Sequence, residues 1–251
     1  MRSVPPAAAF FAALLLAPEA RSLEPARSPL RCGGHAEAAS AMAMARAARL
    51  SRERARAEDW LSLAVAADPD WILPRVELAD LLLADESGPG AATSALRLLS
   101  APSLQAQTNP RLYRLLGQAR ARLGDVNGAI AAWARSLELS DDLDLRLLRA
   151  ALLRDQPGGA AEAVIELERV RDARPGDRAA RSLLAEAYEA AGRRAEAEAE
   201  LLWLASAPPP SAAALRRLAR FYERGNDRWR AEEAERAAQS VEKPSRRMRP
   251  L

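Results

Sequence analysis

The amino-acid sequence predicts an all-α solenoid, a stack of antiparallel helix pairs, and three observations carry that expectation. Alanine, leucine and arginine dominate, aromatic and β-branched residues are scarce, and no stretch alternates apolar and polar residues with period two, so helices are favoured over strands. A block of small and large apolar residues returns every 34 residues. The residues returning at the tightest positions are small, which stacked units require because each packs only on its neighbours. An ordinary helical bundle has no reason to repeat the same small residues at one spacing, and the 251 residues are expected to form one elongated domain.

Residues 1–22 read as a secretory signal peptide. Arg2, the apolar run Ala7 to Ala17 with Phe10-Phe11 and Leu14-Leu15-Leu16, and the small residues after it have the three-part form of such a signal. The run is too short to span a bilayer comfortably. A cut after Ser22 places Ala20 and Ser22 in the small-residue positions; Ala20 and Ala26 mark the alternative cuts. Residues 23–37, with Pro25, Pro29 and Gly33-Gly34, are expected to form a flexible leader. Cys32 is the only cysteine, so no internal disulfide can form, and its thiol is either unpaired or bridged to a partner or a second copy. Ser28-Pro29-Leu30-Arg31 before it is no lipobox.

Six units then fill residues 38–245. The first is marked by Met44-Ala45, Ala57, Leu61, Ala64 and Pro69, and the second by Leu78-Ala79, Leu82, Ala91 and Leu98. A four-residue insertion near Ala101 to Asn109 precedes the third, which shows Leu116-Gly117, Gly124, Ala129 and Trp133. Thirty-four residues further lie Ala151, Ala163, Leu167 and Pro175; then Leu184-Ala185, Tyr188, Gly192, Ala197 and Leu201; then Leu218-Ala219, Tyr222, Ala231 and Ala238. The small residue of each first helix (Gly117, Ala151, Ala185, Ala219) lets the second helix approach, and the second helix answers with Ala129, Ala163, Ala197 and Ala231. Pro69, Pro175 and Pro209 sit where a helix must stop before the next unit. The last helix, Asp227 to Val241, is polar enough to serve as an end cap, and residues 246–251 are a basic tail expected to be disordered.

This pattern resembles the tetratricopeptide repeat (TPR), with its Leu-Gly-x-x-Tyr first helix, Ala-x-x-x-Phe second helix and closing Pro. The match is degenerate, since only Gly117 keeps the glycine and Glu235 stands at a bulky position. The resemblance implies a right-handed superhelix whose first helices line a concave surface along which partners bind.

Catalytic chemistry is poorly provided for. His35 is the single histidine, and with Cys32 it supplies two groups, too few for a Cys-His-Asp site or a tetrahedral metal site. Asp141-Asp142 and Glu232-Glu233 fall at helix starts or on polar faces, where capping and solvation account for them. No phosphate loop, dinucleotide fingerprint or serine elbow occurs, and Gly158-Gly159 reads as a turn within the fourth unit. No enzyme activity, cofactor or metal is therefore expected. The 37 basic and 34 acidic residues are mixed along every helix, so nucleic acid is not expected as a partner; membrane contact is at most peripheral, through Arg246, Arg247 and Arg249.

Projected onto the concave face, the third unit offers Arg111, Arg114, Gln118 and Arg122, the fourth Leu145, Leu148 and Leu152, the fifth Glu186 and Glu189, and the sixth Arg216, Arg220 and Arg224; the first adds Arg46 and Arg49. The expected ligand is a protein or peptide segment with acidic and apolar side chains, its carboxylates gripped by guanidinium groups. The alternative for the same arginines is that they are solvated or paired with acids on adjacent helices. The expected function is that of an exported, periplasmic adaptor or scaffold in a bacterial envelope assembly. Six repeats behind a signal are similar also to type IV pilus pilotins, in repeat number, length and export alone. A third reading is a non-catalytic accessory subunit of an enzyme modifying envelope polysaccharide.

Overall fold

The computed structural model describes residues 34–84, 88–101 and 108–242. The signal at residues 1–22, the leader up to residue 33 with Cys32, and the basic tail at 246–251 lie outside the described residues. Among the described residues there are twelve helices and no strand. In chain order they are α1 His35–Leu50, α2 Arg54–Ala67, α3 Ile72–Leu83, α4 Pro89–Leu99, α5 Pro110–Arg122 and α6 Val126–Leu139. There follow α7 Leu143–Arg154, α8 Ala160–Ala173, α9 Arg178–Ala190, α10 Arg194–Ser206, α11 Ala212–Arg224 and α12 Arg228–Glu242. Each odd-numbered helix packs on the helix after it, giving six pairs. Helix α1 begins at His35, so the last three residues of the expected leader are helical.

Local chemistry sets the helix ends. Asn109, Asp142 and Asp177 each accept backbone N–H groups from the first turns of α5, α7 and α9, and Asp125 and Ser211 do so for α6 and α11. The turns inside the third, fourth and fifth pairs each place a glycine in the left-handed region: Gly124, Gly158 and Gly192 have φ of 80°, 77° and 73°. Asn226 (φ 63°) and Arg52 (φ 60°) occupy the same repeat position. Asparagine tolerates that conformation better than arginine does; at Arg52 the turn is held by backbone bonds from Arg52 N–H to the Arg49 carbonyl (3.1 Å) and from Glu53 N–H to the Ala48 carbonyl (2.9 Å).

The expected packing positions are buried in most units. Ala129, Ala163, Ala197 and Ala231 face the first helix of their own pair from inside the core, as do Ala57, Leu61 and Ala64. The second unit differs. Ala92, Ala95 and Leu99 are its buried residues, whereas Ala91 and Leu98 are only half-buried. Ala79 precedes Gly117 by 38 residues but Ala92 precedes Ala129 by 37, so one of the four extra residues falls between α3 and α4 and three between α4 and α5. A one-residue shift turns a helix face by about 100°, which is why Ala91 and Leu98 lose the core to their neighbours.

The core is segmented. One apolar cluster joins α1 to α3, a second spans α3 to α6, and a third runs from α7 to α12. Within the third, Tyr188 is buried and donates its hydroxyl to Glu168 Oε1 at 2.6 Å, with the Arg193 guanidinium 4.6 Å from its ring centre. Burial and the Glu168 carboxylate push the Tyr188 phenol up to about 12. A phenol whose ionisation is delayed in the fold stabilises the fold fully below its unfolded value near 10, and that contribution is lost as pH rises towards 12. The melting temperature should therefore fall steeply over that alkaline window. Tyr188→Phe should flatten the fall, and an unchanged profile in the variant would mean that the phenol is not what titrates.

Candidate partner-binding groove

The first helices form one inner face. Helix α3 touches α5 and α7 touches α9 directly, past the second helix that separates each pair in sequence. Side chains on this face that packing does not consume are the groups available to a ligand.

Most of the arginines expected to be free are engaged by the chain's own acids. Arg111 spans to α3, with Nη1 2.8 Å from Glu77 Oε1 and Nη2 2.7 Å from Asp80 Oδ2. Glu77 also receives Arg49 from α1, so one carboxylate on the middle helix ties arginines of both neighbours. Arg114 reaches Asp142 at 3.1 Å, the same aspartate that caps α7. Arg216 turns away from the inner face towards the end cap, where Glu242 takes it at 2.6 and 2.5 Å and Glu235 lies 3.6 Å off. Such exposed pairs contribute little to stability singly, about 0 to 1 kcal/mol, yet they occupy the guanidiniums. Gln118 is half-buried and Arg122 is exposed.

The apolar stripe of the fourth unit is narrower than expected. Leu145 is fully buried, so it is a core residue and not part of the groove. The reason is helical geometry: Leu145 shares with Arg149 and Ala150 the stripe of α7 that faces the solenoid interior. Leu148 is 51% exposed and Leu152 half-buried, so these two remain on the surface one turn apart.

A concavity lies further along the inner face. An open cleft of about 560 Å³ is lined by Arg154 and Asp155 of the fourth unit, Glu186, Glu189 and Ala190 of α9, and Arg217, Arg220 and Arg224 of α11. Glu186 repeats the role of Glu77: its two oxygens bind Arg154 from one side and Arg217, at 2.5 Å, from the other. Arg154 is also held by Asp155, through two bonds of 2.7 and 3.0 Å, and that carboxylate raises the guanidinium's proton affinity. Arg217 reaches back to the Ser182 hydroxyl and, at 3.0 Å, the Ser182 carbonyl. Arg224 is paired with Glu189.

Two of the cleft's arginines escaped sequence reasoning. Arg154 stands where the next two units carry Tyr188 and Tyr222, and Arg217 where the third and fifth carry Leu115 and Leu183, so both sit at positions belonging to the packing motif. An arginine in place of a motif tyrosine or leucine was the signal to follow. Elsewhere on the N-terminal pair, His35 Nδ1 lies 2.9 Å from Asp68 Oδ2 and its ring packs on Trp71, an arrangement that fastens the start of α1 to the loop after α2. That contact holds the Asp68 carboxyl below its ordinary range. Among the described residues no group of three or more His, Cys, Asp or Glu is arranged to hold a metal ion, and no helix is long and apolar enough to cross a membrane.

No family model matches the sequence, and no curated protein does. Solved structures do match in fold. A segment of MamA from Desulfovibrio magneticus is similar at 22% identity and a TM-score of 0.56, over 67% of this chain and 95% of that one. YrrB, described as a TPR protein with an unusual peptide-binding site, is similar at 17% identity and 0.61, over 72% and 92%. A tetratricopeptide repeat protein from Parabacteroides merdae is similar at 16% identity and 0.61, over 83% and 81%. The chain thus has the all-α solenoid fold of tetratricopeptide repeat proteins, as its repeats led one to expect.

Proposed function

We propose that this chain is an exported TPR adaptor that holds a segment of a partner protein along its inner face in a bacterial envelope assembly. The observation that carries the reading is the open cleft built only from the first-helix side of units four to six, with the exposed Leu148 on the same set of helices. A folded core has no need of either feature, and contiguous concavities with exposed apolar and charged groups are where partners dock. The peptide-binding site in the description of YrrB supports the same use of the fold. Export rests on the Arg2 and Ala7 to Ala17 pattern.

The test is crosslinked capture from the envelope fraction with the full chain and with Leu148→Glu, a substitution at an exposed position that leaves the core intact. A partner retained by the parent and lost from the variant is the expected result. The same partner retained equally by both would move binding off the inner face. Intact mass of the mature protein tests the export half, since a chain still carrying residues 1–22 would remove the envelope from the proposal.

A further inference from the structure

We infer that the cleft between α7, α9 and α11 is an anion site for a carboxylate-rich stretch of polypeptide, and that Arg220 is the residue that receives the incoming carboxylate. The inference rests on the reading of the inner face as the binding face and adds the ligand chemistry and the residue that selects it.

Four arginines line the cleft against three carboxylates, so the chain's own acids leave one positive charge over. The excess has an address. Arg154, Arg217 and Arg224 are each held by Asp155, Glu186 or Glu189, whereas Arg220 is exposed and binds no carboxylate among the described residues. Burial is the main cause lowering the proton affinity of Arg217; Glu189 raises it, and the neighbouring Arg154, Arg220 and Arg224 each lower it. The three held guanidiniums are already oriented, so a ligand does not have to order them, and much of the usual entropy penalty of gripping an anion with flexible side chains is absent.

Spacing narrows the ligand. Arg220 and Arg224 stand one helical turn apart on α11, a rise of about 6 Å. Alternate residues of an extended peptide are separated by about 6.8 Å and point the same way, so acids two apart meet Arg220 and Arg224 together. The second acid competes with Glu189 for Arg224, which makes Glu189 a built-in rival of the ligand. Mixed sign along this face disfavours a continuous line of phosphates: Asp155, Glu186 and Glu189 stand in the cleft itself, and Glu77 and Asp80 lie further along the same face. A polypeptide can intersperse acids with apolar residues, and a nucleic acid strand cannot.

The experiment titrates the full chain with a fluorescein-labelled Glu-Ala-Glu-Ala-Glu-Ala peptide at low salt, reading anisotropy, beside a Lys-Ala peptide and a labelled dodecathymidylate. Arg220→Glu should weaken the acidic peptide by roughly ten-fold or more, the loss expected for one charge-assisted contact. Glu189→Gln should tighten it, Arg169→Glu on the second helix α8, exposed and outside the cleft, should leave it unchanged, and the helical circular-dichroism signal should match the parent in all three. Equal binding by parent and Arg220→Glu overturns the assignment, as does tighter binding of the oligonucleotide or no binding of the acidic peptide by the parent. If these failures occur while Leu148→Glu still abolishes capture, the acidic cleft falls and the adaptor reading stands.

Discussion

Glu166→Leu should destabilise the protein by about 3 kcal/mol, seen as a lower urea midpoint at unchanged slope. Glu166 lies on α8 and is the shared partner of two buried arginines of α7: Arg149 Nη1 donates to its Oε1 at 2.6 Å, and Arg146 donates to the other oxygen. Both arginine side chains are only 8% exposed, and that of Glu166 is 11% exposed. Removing the carboxylate strands two charges where water reaches them poorly. The penalty sits at the low end of the range for broken buried pairs because Asp141, 2.7 Å from Arg146 Nε, and Glu162, bonded to Arg149, remain at the rim.

The same comparison predicts the opposite outcome for the whole cluster. The third unit carries Leu112, Leu115 and Ala132 at the positions where the fourth has Arg146, Arg149 and Glu166, and all three are buried. The triple replacement Arg146→Leu, Arg149→Leu, Glu166→Ala should be neutral or stabilising by about 1 to 4 kcal/mol, since well-packed apolar residues commonly match or exceed a buried ion cluster. A triple variant less stable than Glu166→Leu alone would refute the argument, because it would mean that packing around the cluster cannot accept the leucines. The break between the second and third apolar clusters falls at this place, so the substitution should also merge the two halves into a more cooperative unit.

Burial of this kind explains what was legible in the sequence and what was not. The recurring small residues marked the pairing surfaces in most units because sterics leave little choice where two helices touch: Ala163, Ala185 and Ala197 are each fully buried, whereas Ala151 and Ala91 are half-buried. The left-handed turn position was legible for a similar reason, through Gly124 and Gly192. The second unit was misread by one residue because extra length in the turn between α3 and α4 leaves no mark on the apolar spacing within either helix. Groove arginines were the least legible, since an arginine's partner is chosen by contacts 26 to 35 residues away, as with Arg216 and Glu242 or Arg224 and Glu189. Leu145 failed for another reason: both faces of α7 carry leucine, and only the burial of Arg149 beside it shows which face is inward.

Gly117→Ala is expected to destabilise by about 1 to 3 kcal/mol, although alanine is the better helix former by roughly 1 kcal/mol in isolation. A Cβ on Gly117 would lie 2.3 Å from Trp133 Cδ1 and 2.4 Å from its Nε1, inside any tolerable contact. The ring has little room to withdraw: Trp133 is 5% exposed and its Nε1 donates to the Arg114 carbonyl at 3.0 Å. The fourth and fifth units carry the reverse combination at these repeat positions, Ala151 with Leu167 and Ala185 with Leu201; Leu167, Ala185 and Leu201 are fully buried and Ala151 is half-buried. Glycine is thus coupled to tryptophan, and alanine to leucine. Trp133→Leu alone leaves a void over Gly117 and should cost about 2 kcal/mol or more; adding Gly117→Ala should then recover stability, a coupling on the order of 2 kcal/mol of opposite sign to the single effects. Urea unfolding of the two single variants and the double variant measures that coupling. Additive losses would show that Gly117 is kept for some property of its backbone, and that the side chain facing it is free to vary.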